Sequence, residues 1–149
     1  MRKYFSVMVA AIFAAALGGF ALASNGPTII MSGKEHYTAG TGMMKGAQVA
    51  VLVGNPAKSG LLYIVRVKVP AGTIFGPHYH NETENVTVVS GTLWVGLGDK
   101  MNKAKLVALP AGSFVEIPAK LHHYGMTKSP TVIDITGIGP ETMMAVGKP

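Results

Sequence analysis

The chain contains no cysteine, and only seven of its 149 residues are acidic. The lack of thiols excludes disulfide cross-links, and it means that any metal ion must be bound by nitrogen and oxygen ligands. Thirteen lysines and arginines give a formal net charge of +6. Because these basic residues are scattered and are not interleaved with aromatic side chains, we expect no nucleic acid partner.

Helical periodicity is also missing after residue 23, since no stretch keeps a 3.6-residue apolar repeat over three turns. Short runs rich in Val, Ile, Thr and Tyr instead alternate with turns rich in Gly, Pro and Asn. These runs cover residues 48–53, 61–69, 85–89, 92–97, 106–109, 113–117 and 131–136. Short strands at this spacing predict an all-β fold, either a sandwich or a barrel.

The first 23 residues have the features of a bacterial signal peptide. Two basic residues precede an uncharged, Ala-rich run over 7–22, and Ala21-Leu22-Ala23 supplies small residues at the positions that a signal peptidase reads. An uncleaved anchor is the alternative, but the run is slightly shorter than the ~20 residues that span a bilayer. We expect cleavage before Ser24 and a periplasmic or secreted protein with no membrane contact afterwards.

Residues 24–46 are rich in Gly, Ser, Thr and Met, and they are interpreted as an N-terminal arm with at most one strand. The only apolar stretch of this arm is Thr28 to Met31. The remaining residues, 47–149, are predicted to form one folded domain, which is a normal size for a single core.

Alternation along two of the predicted strands indicates which side chains face the interior. In the run LLYIVRVKV, residues 63, 65, 67 and 69 are Tyr, Val, Val and Val, and this face is predicted to point inward. In the run TVIDIT, Asp134 lies on one face and Ile133 with Ile135 on the other. The pattern of this second run leaves the interior side open.

Four of the five histidines lie in two short segments. The first, GTIFGPHYHNETENVTVVSG, covers residues 72–91 and contains His78, His80 and Glu84. Side chains two residues apart on a strand point to the same face, so the two imidazoles can converge on one ion. A continuous strand would carry Glu84 ~13 Å from His80, so a shared site requires the chain to bend over residues 81–83. Glu82 is the alternative carboxylate.

The second segment, GSFVEIPAKLHHYG, ends in the pair His122-His123. Neighbouring residues on a strand face opposite sides, so only one of the two can join a site with the first segment. His36 has no partner nearby in the sequence and is interpreted as a surface residue. A mononuclear site with three histidines and one carboxylate is the resulting hypothesis.

The two segments resemble the two sequence motifs of the cupin family. The first motif, G-x5-H-x-H-x(3,4)-E-x6-G, is matched at Gly72, His78, His80, Glu84 and Gly91. The second, G-x5-P-x-G-x2-H-x3-N, is matched at Gly112, Pro118 and His123, and it departs at Lys120 and Thr127. The resemblance extends roughly over residues 48–140. Lys120 replaces the glycine of a tight turn, and we expect Thr127, in place of asparagine, to cost a structural hydrogen bond but no ligand.

The resemblance implies a double-stranded β-helix barrel of jelly-roll type over residues 47–149. It also implies that the metal ligands are His78, His80, Glu84 and His123, which selects His123 over His122 and Glu84 over Glu82. Nitrogen and oxygen ligands of this kind suit one divalent transition metal, which can be Mn, Fe, Ni, Cu or Zn. The family further implies a homodimer that pairs through barrel faces or through the arm of residues 24–46.

For an intact site of this kind the resemblance most often implies a metal-dependent oxidoreductase of the dioxygenase or oxidase type, acting on a small oxygenated organic substrate. The alternatives are a non-redox lyase or isomerase, and a non-catalytic module that binds a metal or a small ligand. Tyr63 is the candidate catalytic residue, because its hydroxyl can act as an acid or a hydrogen-bond donor. The apolar wall of the pocket is expected among Tyr63, Val65, Phe75, Val86, Val88, Trp94, Phe114 and Met126.

Overall fold

The structure, a computed structural model, describes residues 26–147, so the predicted signal peptide lies outside the described residues. Within that range regular structure consists of eleven β-strands and two single-turn 3-10 helices, at Gly42–Met44 and Lys103–Lys105. None of the helices in this part of the chain is long and apolar enough to cross a membrane. The predicted all-β class with low helix content is confirmed.

The strands form two antiparallel sheets around one core. In chain order they are β1 (Thr38–Ala39), β2 (Gln48–Gly54), β3 (Leu62–Val69), β4 (Ile74–Tyr79), β5 (Glu84–Ser90), β6 (Thr92–Leu97), β7 (Val107–Pro110), β8 (Phe114–Ile117), β9 (His123–Thr127), β10 (Thr131–Ile138) and β11 (Met144–Ala145). One sheet has the order β1-β2-β3-β10-β5-β8 and the other β11-β4-β9-β6-β7. Because β10 lies between β3 and β5, and β9 between β4 and β6, the topology is the predicted jelly-roll barrel.

The predicted inward face of β3 is confirmed. Tyr63, Val65, Val67 and Val69 are at most 5% exposed. The neighbouring strand β10 buries Ile133 and Ile135, which settles the face that the sequence pattern left open. These side chains form one apolar cluster with residues of the second sheet, including Phe75 and Leu93.

The opposite face of β3 and β10 carries an ion-pair network that fixes the arm. Arg66 donates two hydrogen bonds of 2.7 Å to the carboxylate of Asp134 and one of 3.1 Å to Glu35. Next to it, the Lys68 ammonium lies 3.8 Å from the centre of the Tyr37 ring. The arm is therefore attached to the six-stranded sheet by residues 35–39 and not by the apolar stretch at 28–31, which forms no strand and is exposed.

The turn before His123 adopts the backbone conformation that glycine favours, although a lysine occupies it. Lys120 has a φ of +66°, and its amide donates a 2.9 Å hydrogen bond to the carbonyl of His80. The side chain contacts Asn81 and lies over the ring of Tyr79. The lysine thus preserves the turn, at the steric cost that a Cβ atom has in the left-handed region.

Lys120→Gly is therefore expected to stabilise the protein by about 1 kcal/mol, because glycine reaches a positive φ without the Cβ clash. Urea unfolding of the two proteins measures the difference. The control is Lys120→Ala, which removes the same side-chain contacts and keeps the strain, so it should be no more stable than the wild type. A gain in the alanine variant equal to that of glycine would show that the side chain, and not the backbone, is responsible.

Candidate metal centre

Three histidine rings meet between two neighbouring strands of the five-stranded sheet. His78 lies in β4 opposite His123 of β9, and His80 follows directly after β4. Each of the three is at most 5% exposed. The ring centres are 4.1 Å apart for His78 and His123, 5.2 Å for His78 and His80, and 5.3 Å for His80 and His123. Three imidazoles are therefore packed together in the interior.

The orientation of each ring is fixed by a backbone carbonyl that contacts its Nδ1 atom. The contacts are His78 to Gly76 O at 2.7 Å, His80 to Thr142 O at 2.7 Å, and His123 to Leu121 O at 3.0 Å. A carbonyl oxygen can only accept a hydrogen bond, so the proton of each neutral ring belongs on Nδ1. The lone pair of each Nε2 is then free to bind a cation, which is the arrangement that metal-binding histidines favour.

Glu84 completes the cluster because the chain bends where the sequence requires it to. The bend lies at residues 81–82 and carries the chain from β4 of one sheet to β5 of the other. Glu84 is 6% exposed, and its Oε2 lies 3.5 Å from His80 Nε2 and 3.6 Å from His123 Nε2. Glu82 lies in the bend itself and is exposed, so it is not part of the cluster.

His122 points away from the cluster, as the alternation rule requires. Its Nδ1 lies 2.6 Å from the Asp99 carboxylate, and its ring stacks on Tyr79 at 5.0 Å. Thr127, which replaces the asparagine of the second motif, makes a hydrogen bond at its position, and the expected loss of a hydrogen bond relative to asparagine stays a prediction. Its hydroxyl donates to the carbonyl of Pro70 at 2.6 Å and the residue is fully buried.

Burial and mutual repulsion keep the cluster in the protonation state that a cation needs. Burial, together with the nearby His123 and His80, lowers the pKa of His78 to about 4. Burial raises the pKa of Glu84, but the surrounding imidazoles of His123, His80 and His78 outweigh it and hold that pKa below its usual range. A carboxylate and a neutral imidazole are thus both available near neutral pH, and metal ligands must be in these forms.

The lowered pKa of His78 predicts acid sensitivity of the metal-free protein. Between about 4 and the ordinary value of 6.5, the unfolded chain binds a proton at this residue and the folded chain does not. The free energy of unfolding is therefore unaffected by this residue above pH 6.5, and it decreases as the pH falls toward 4, by up to about 3 kcal/mol. Urea unfolding from pH 7.5 to 4.5 measures it. His78→Leu should flatten the profile, and His36→Ala, at an exposed position, should leave it as steep as in the wild type.

The donor atoms of the cluster fit a divalent transition metal. Within residues 26–147, ligand atoms of His78, His80 and His123 lie within 4.8 Å of one another. The Nε2 atom of His80 is buried and has no hydrogen-bond partner, which is costly unless another group binds it. Three nitrogen donors and one carboxylate oxygen are a set that such ions favour.

A second carboxylate, Glu141, reaches the cluster from the C-terminal segment. Ligand atoms of His80, Glu84 and Glu141 also lie within 4.8 Å of one another. The Tyr63 hydroxyl donates a 2.5 Å hydrogen bond to Glu141 Oε2, while Glu141 Oε1 lies 3.5 Å from His80 Nδ1. Burial raises the pKa of both Tyr63 and Glu141. The hydroxyl considered as a catalytic group is thus used to hold this carboxylate.

Sequence reasoning missed Glu141, which lies just beyond the end of the recognised motifs. Its amide donates to the carbonyl of Pro56 at 2.7 Å, so its place depends on a loop more than eighty residues earlier. The next residue, Thr142, accepts the hydrogen bonds of His80 Nδ1 and of the Asn81 amide. The one available signal was the rarity of acidic residues in this chain.

The cluster opens into an almost wholly apolar interior. A cavity of about 40 Å³ adjoins His78, Glu84 and His123, and it is walled by side chains that include Phe75 and Val86, as predicted. Phe114, also predicted for the wall, is instead 60% exposed on the edge strand β8.

Comparison with known proteins agrees with this architecture. The family model described as "Cupin domain" matches residues 65–134. Comparison with curated proteins gives no match. A solved RmlC-like cupin from Shewanella frigidimarina has a TM-score of 0.59 and 18% identity, covering 76% of this chain and 91% of that chain.

Two solved enzymes share the fold at lower identity. The polyketide cyclase RemF from Streptomyces resistomycificus has a TM-score of 0.56 and 15% identity, covering 70% of this chain and 74% of that chain. The salicylate 1,2-dioxygenase from Pseudoaminobacter salicylatoxidans has a TM-score of 0.55 and 13% identity, covering 69% of this chain and 30% of that chain. At these identities the likeness shows a common fold alone. The family model matches residues 65–134 and the barrel topology is that of the solved RmlC-like cupin, so this part of the chain is a cupin domain.

Proposed function

We propose that this protein is a metal-dependent oxidoreductase of the dioxygenase or oxidase type, acting on a small oxygenated organic compound. The observation that carries the proposal is the convergence of His78, His80, His123 and Glu84 beside an apolar cavity, with an unpartnered Nε2 on His80. A divalent Mn, Fe, Ni or Cu ion bound there supplies both a Lewis acid and one-electron chemistry.

The protein's own residues prepare the site before any substrate arrives. The three carbonyls at Nδ1 hold the imidazoles in one tautomer and one orientation, so that little reorganisation accompanies binding. Glu84 offsets part of the charge of a divalent ion. Side chains such as Phe75 and Val86 exclude water and can pack against an organic substrate. Tyr63 acts indirectly, by fixing Glu141 at the edge of the cluster.

Two kinds of relative bear on the choice of reaction. One solved structure of this fold is named as a dioxygenase and another as a cyclase, so the fold is compatible with oxygen chemistry and with other reactions. A lyase or isomerase would turn over without oxygen and would accept a redox-silent ion such as zinc. A binding module would hold a metal or ligand and turn nothing over.

Elemental analysis followed by oxygen uptake tests the proposal. The protein is purified without chelators or a histidine tag, and it is expected to contain about one Mn, Fe, Ni or Cu per chain. Oxygen consumption is then screened against catechols and enols, with His80→Ala as the control that should consume none. Turnover under argon would replace the proposal with a lyase or isomerase, and a metal-free, inactive protein would refute the enzyme altogether.

Export and dimerisation are part of the same proposal. The leader features of residues 1–23 support a periplasmic or secreted protein. Leu62 and Ile138 pair side by side on neighbouring strands and are about half exposed, which supports a second copy packing against this face. N-terminal sequencing of the protein from its native compartment should begin at Ser24, and sedimentation velocity should give twice the mass of residues 24–149.

A further inference from the structure

A second, larger cavity lies beside the first one, on the side of the N-terminal arm. It measures about 310 Å³ and is a half-open pocket between residues 41–44 of the arm, the core face of β3 and the C-terminal segment. Met44, Ile135 and Met143 line both this cavity and the smaller one beside the histidines, so the two adjoin. We call the larger cavity the chamber.

Glu141 is the one charged residue among those that line the chamber. The other lining residues are apolar or small, and they include Met43, Met44 and Met143. Neither the chamber nor the smaller cavity has a lysine or arginine among its lining residues within positions 26–147. The walls of the two cavities therefore carry carboxylates but no lysine or arginine, although the chain as a whole is basic.

One oxygen of Glu141 is available to a ligand. Its Oε2 accepts the Tyr63 hydroxyl, whereas Oε1 has only His80 Nδ1 at 3.5 Å, and that nitrogen already donates to Thr142 O at 2.7 Å. The side chain is 23% exposed, so it can be reached from the chamber. A carboxylate oxygen in such a position accepts a hydrogen bond or attracts a positive charge.

The charges of the whole site argue against an anionic ligand. When both carboxylates are ionised and the imidazoles are neutral, Glu84 and Glu141 contribute two negative charges, which balance the two positive charges of a divalent ion. An anion would leave water for a region with no net positive charge and with a carboxylate on its wall, which is unfavourable in a medium of low dielectric constant. A neutral hydroxyl compound or an ammonium compound would meet no such penalty.

We propose that Glu141 makes the chamber selective for small, largely apolar ligands that carry a hydrogen-bond donor or a positive charge, and that it excludes anions. This inference rests on the proposed function in one respect, because it takes the chamber to be where the substrate of that reaction binds. It assigns the substrate to neutral or cationic compounds such as phenols, alcohols and amines, and not to carboxylates. Glu141 is then a specificity-determining residue.

Three ligands of the same size but different charge provide the test. Benzylammonium, benzyl alcohol and benzoate are titrated into the metal-free protein, produced from the full-length sequence, and binding is followed by calorimetry and NMR. Benzylammonium is expected to bind at least tenfold more tightly than benzoate, with benzyl alcohol between them. Glu141→Gln should reduce that ratio at least fivefold. Glu82→Gln, which changes the net charge equally but lies in the exposed bend, should alter it less than twofold.

A further variant separates charge from packing. Tyr63→Phe removes the hydrogen bond to Glu141 but keeps the carboxylate, so it should retain the preference for the cation. This variant can also be measured if Glu141→Gln does not fold.

Three results would each overturn the proposal. They are equal binding of benzoate and benzylammonium, equal effects of Glu141→Gln and Glu82→Gln, and no binding of any of the three ligands at about 10 mM, the weakest affinity useful for a cavity of this size. A Mn²⁺ titration is run in parallel. Metal binding without charge preference refutes only the role of Glu141, and charge preference without metal binding refutes only the proposed function.

Discussion

His80→Ala is expected to abolish stoichiometric metal binding, with a loss of affinity of at least about a hundredfold. The substitution removes the buried Nε2 atom that has no protein partner, and with it one of three nitrogen donors. It also removes the Nδ1 contact to Thr142 that ties the C-terminal segment to the cluster. Elemental analysis gives the metal content, and competition with a chelator of known affinity gives the change in dissociation constant.

The neighbouring pair in the second motif supplies the matched control. His123→Ala should empty the site, because His123 is buried beside His78 with its Nε2 3.6 Å from Glu84. His122→Ala should keep at least most of the metal, since that ring faces Asp99 and stacks on Tyr79. The reverse pattern, with metal lost on changing His122 and kept on changing His123, would show that the second motif is wrongly aligned.

What the sequence predicts well is whatever depends on neighbouring residues. Strand β6 has the predicted bounds, 92–97, because its apolar run is flanked by glycine-containing turns. The inward face of β3 follows from alternation, and the bend at residues 81–82 follows from the length of a strand. These features need only local geometry, which a single sequence contains.

What the sequence does not predict depends on distant partners. Strand β9, with the sequence HYGMT, has no apolar run, and it forms because β4 and β6 pair with it on both sides. Phe114 begins β8 at the edge of a sheet, where β8 has a neighbour on one side only, and alternation alone does not decide which face is covered. Glu141 reaches the cluster through Pro56 and Tyr63, and both lie far away in the sequence.

The same long-range dependence makes a single glycine of β6 critical. Gly96 lies opposite Tyr124 of β9, and a Cβ atom at Gly96 would come within 2.4 Å of that ring. Tyr124 is fully buried, and its hydroxyl donates to the carbonyl of Asn102, so the ring has little freedom to move aside. The absence of a side chain at residue 96 is therefore a packing requirement of the barrel.

Gly96→Ala is expected to lower the free energy of unfolding by about 2–3 kcal/mol, because the added methyl group forces the buried ring and its strand apart. Urea unfolding of the metal-free protein measures the loss. The control is Gly76→Ala in β4, where no heavy atom lies within 4 Å of the new Cβ and the φ angle is not positive, so the change should stay below about 0.5 kcal/mol. Equal stability of the two variants would mean that Tyr124 can rotate away from β6. Because Tyr124 directly follows His123, that rotation would also disturb the metal centre, and the metal affinity of Gly96→Ala would then fall without a loss of stability.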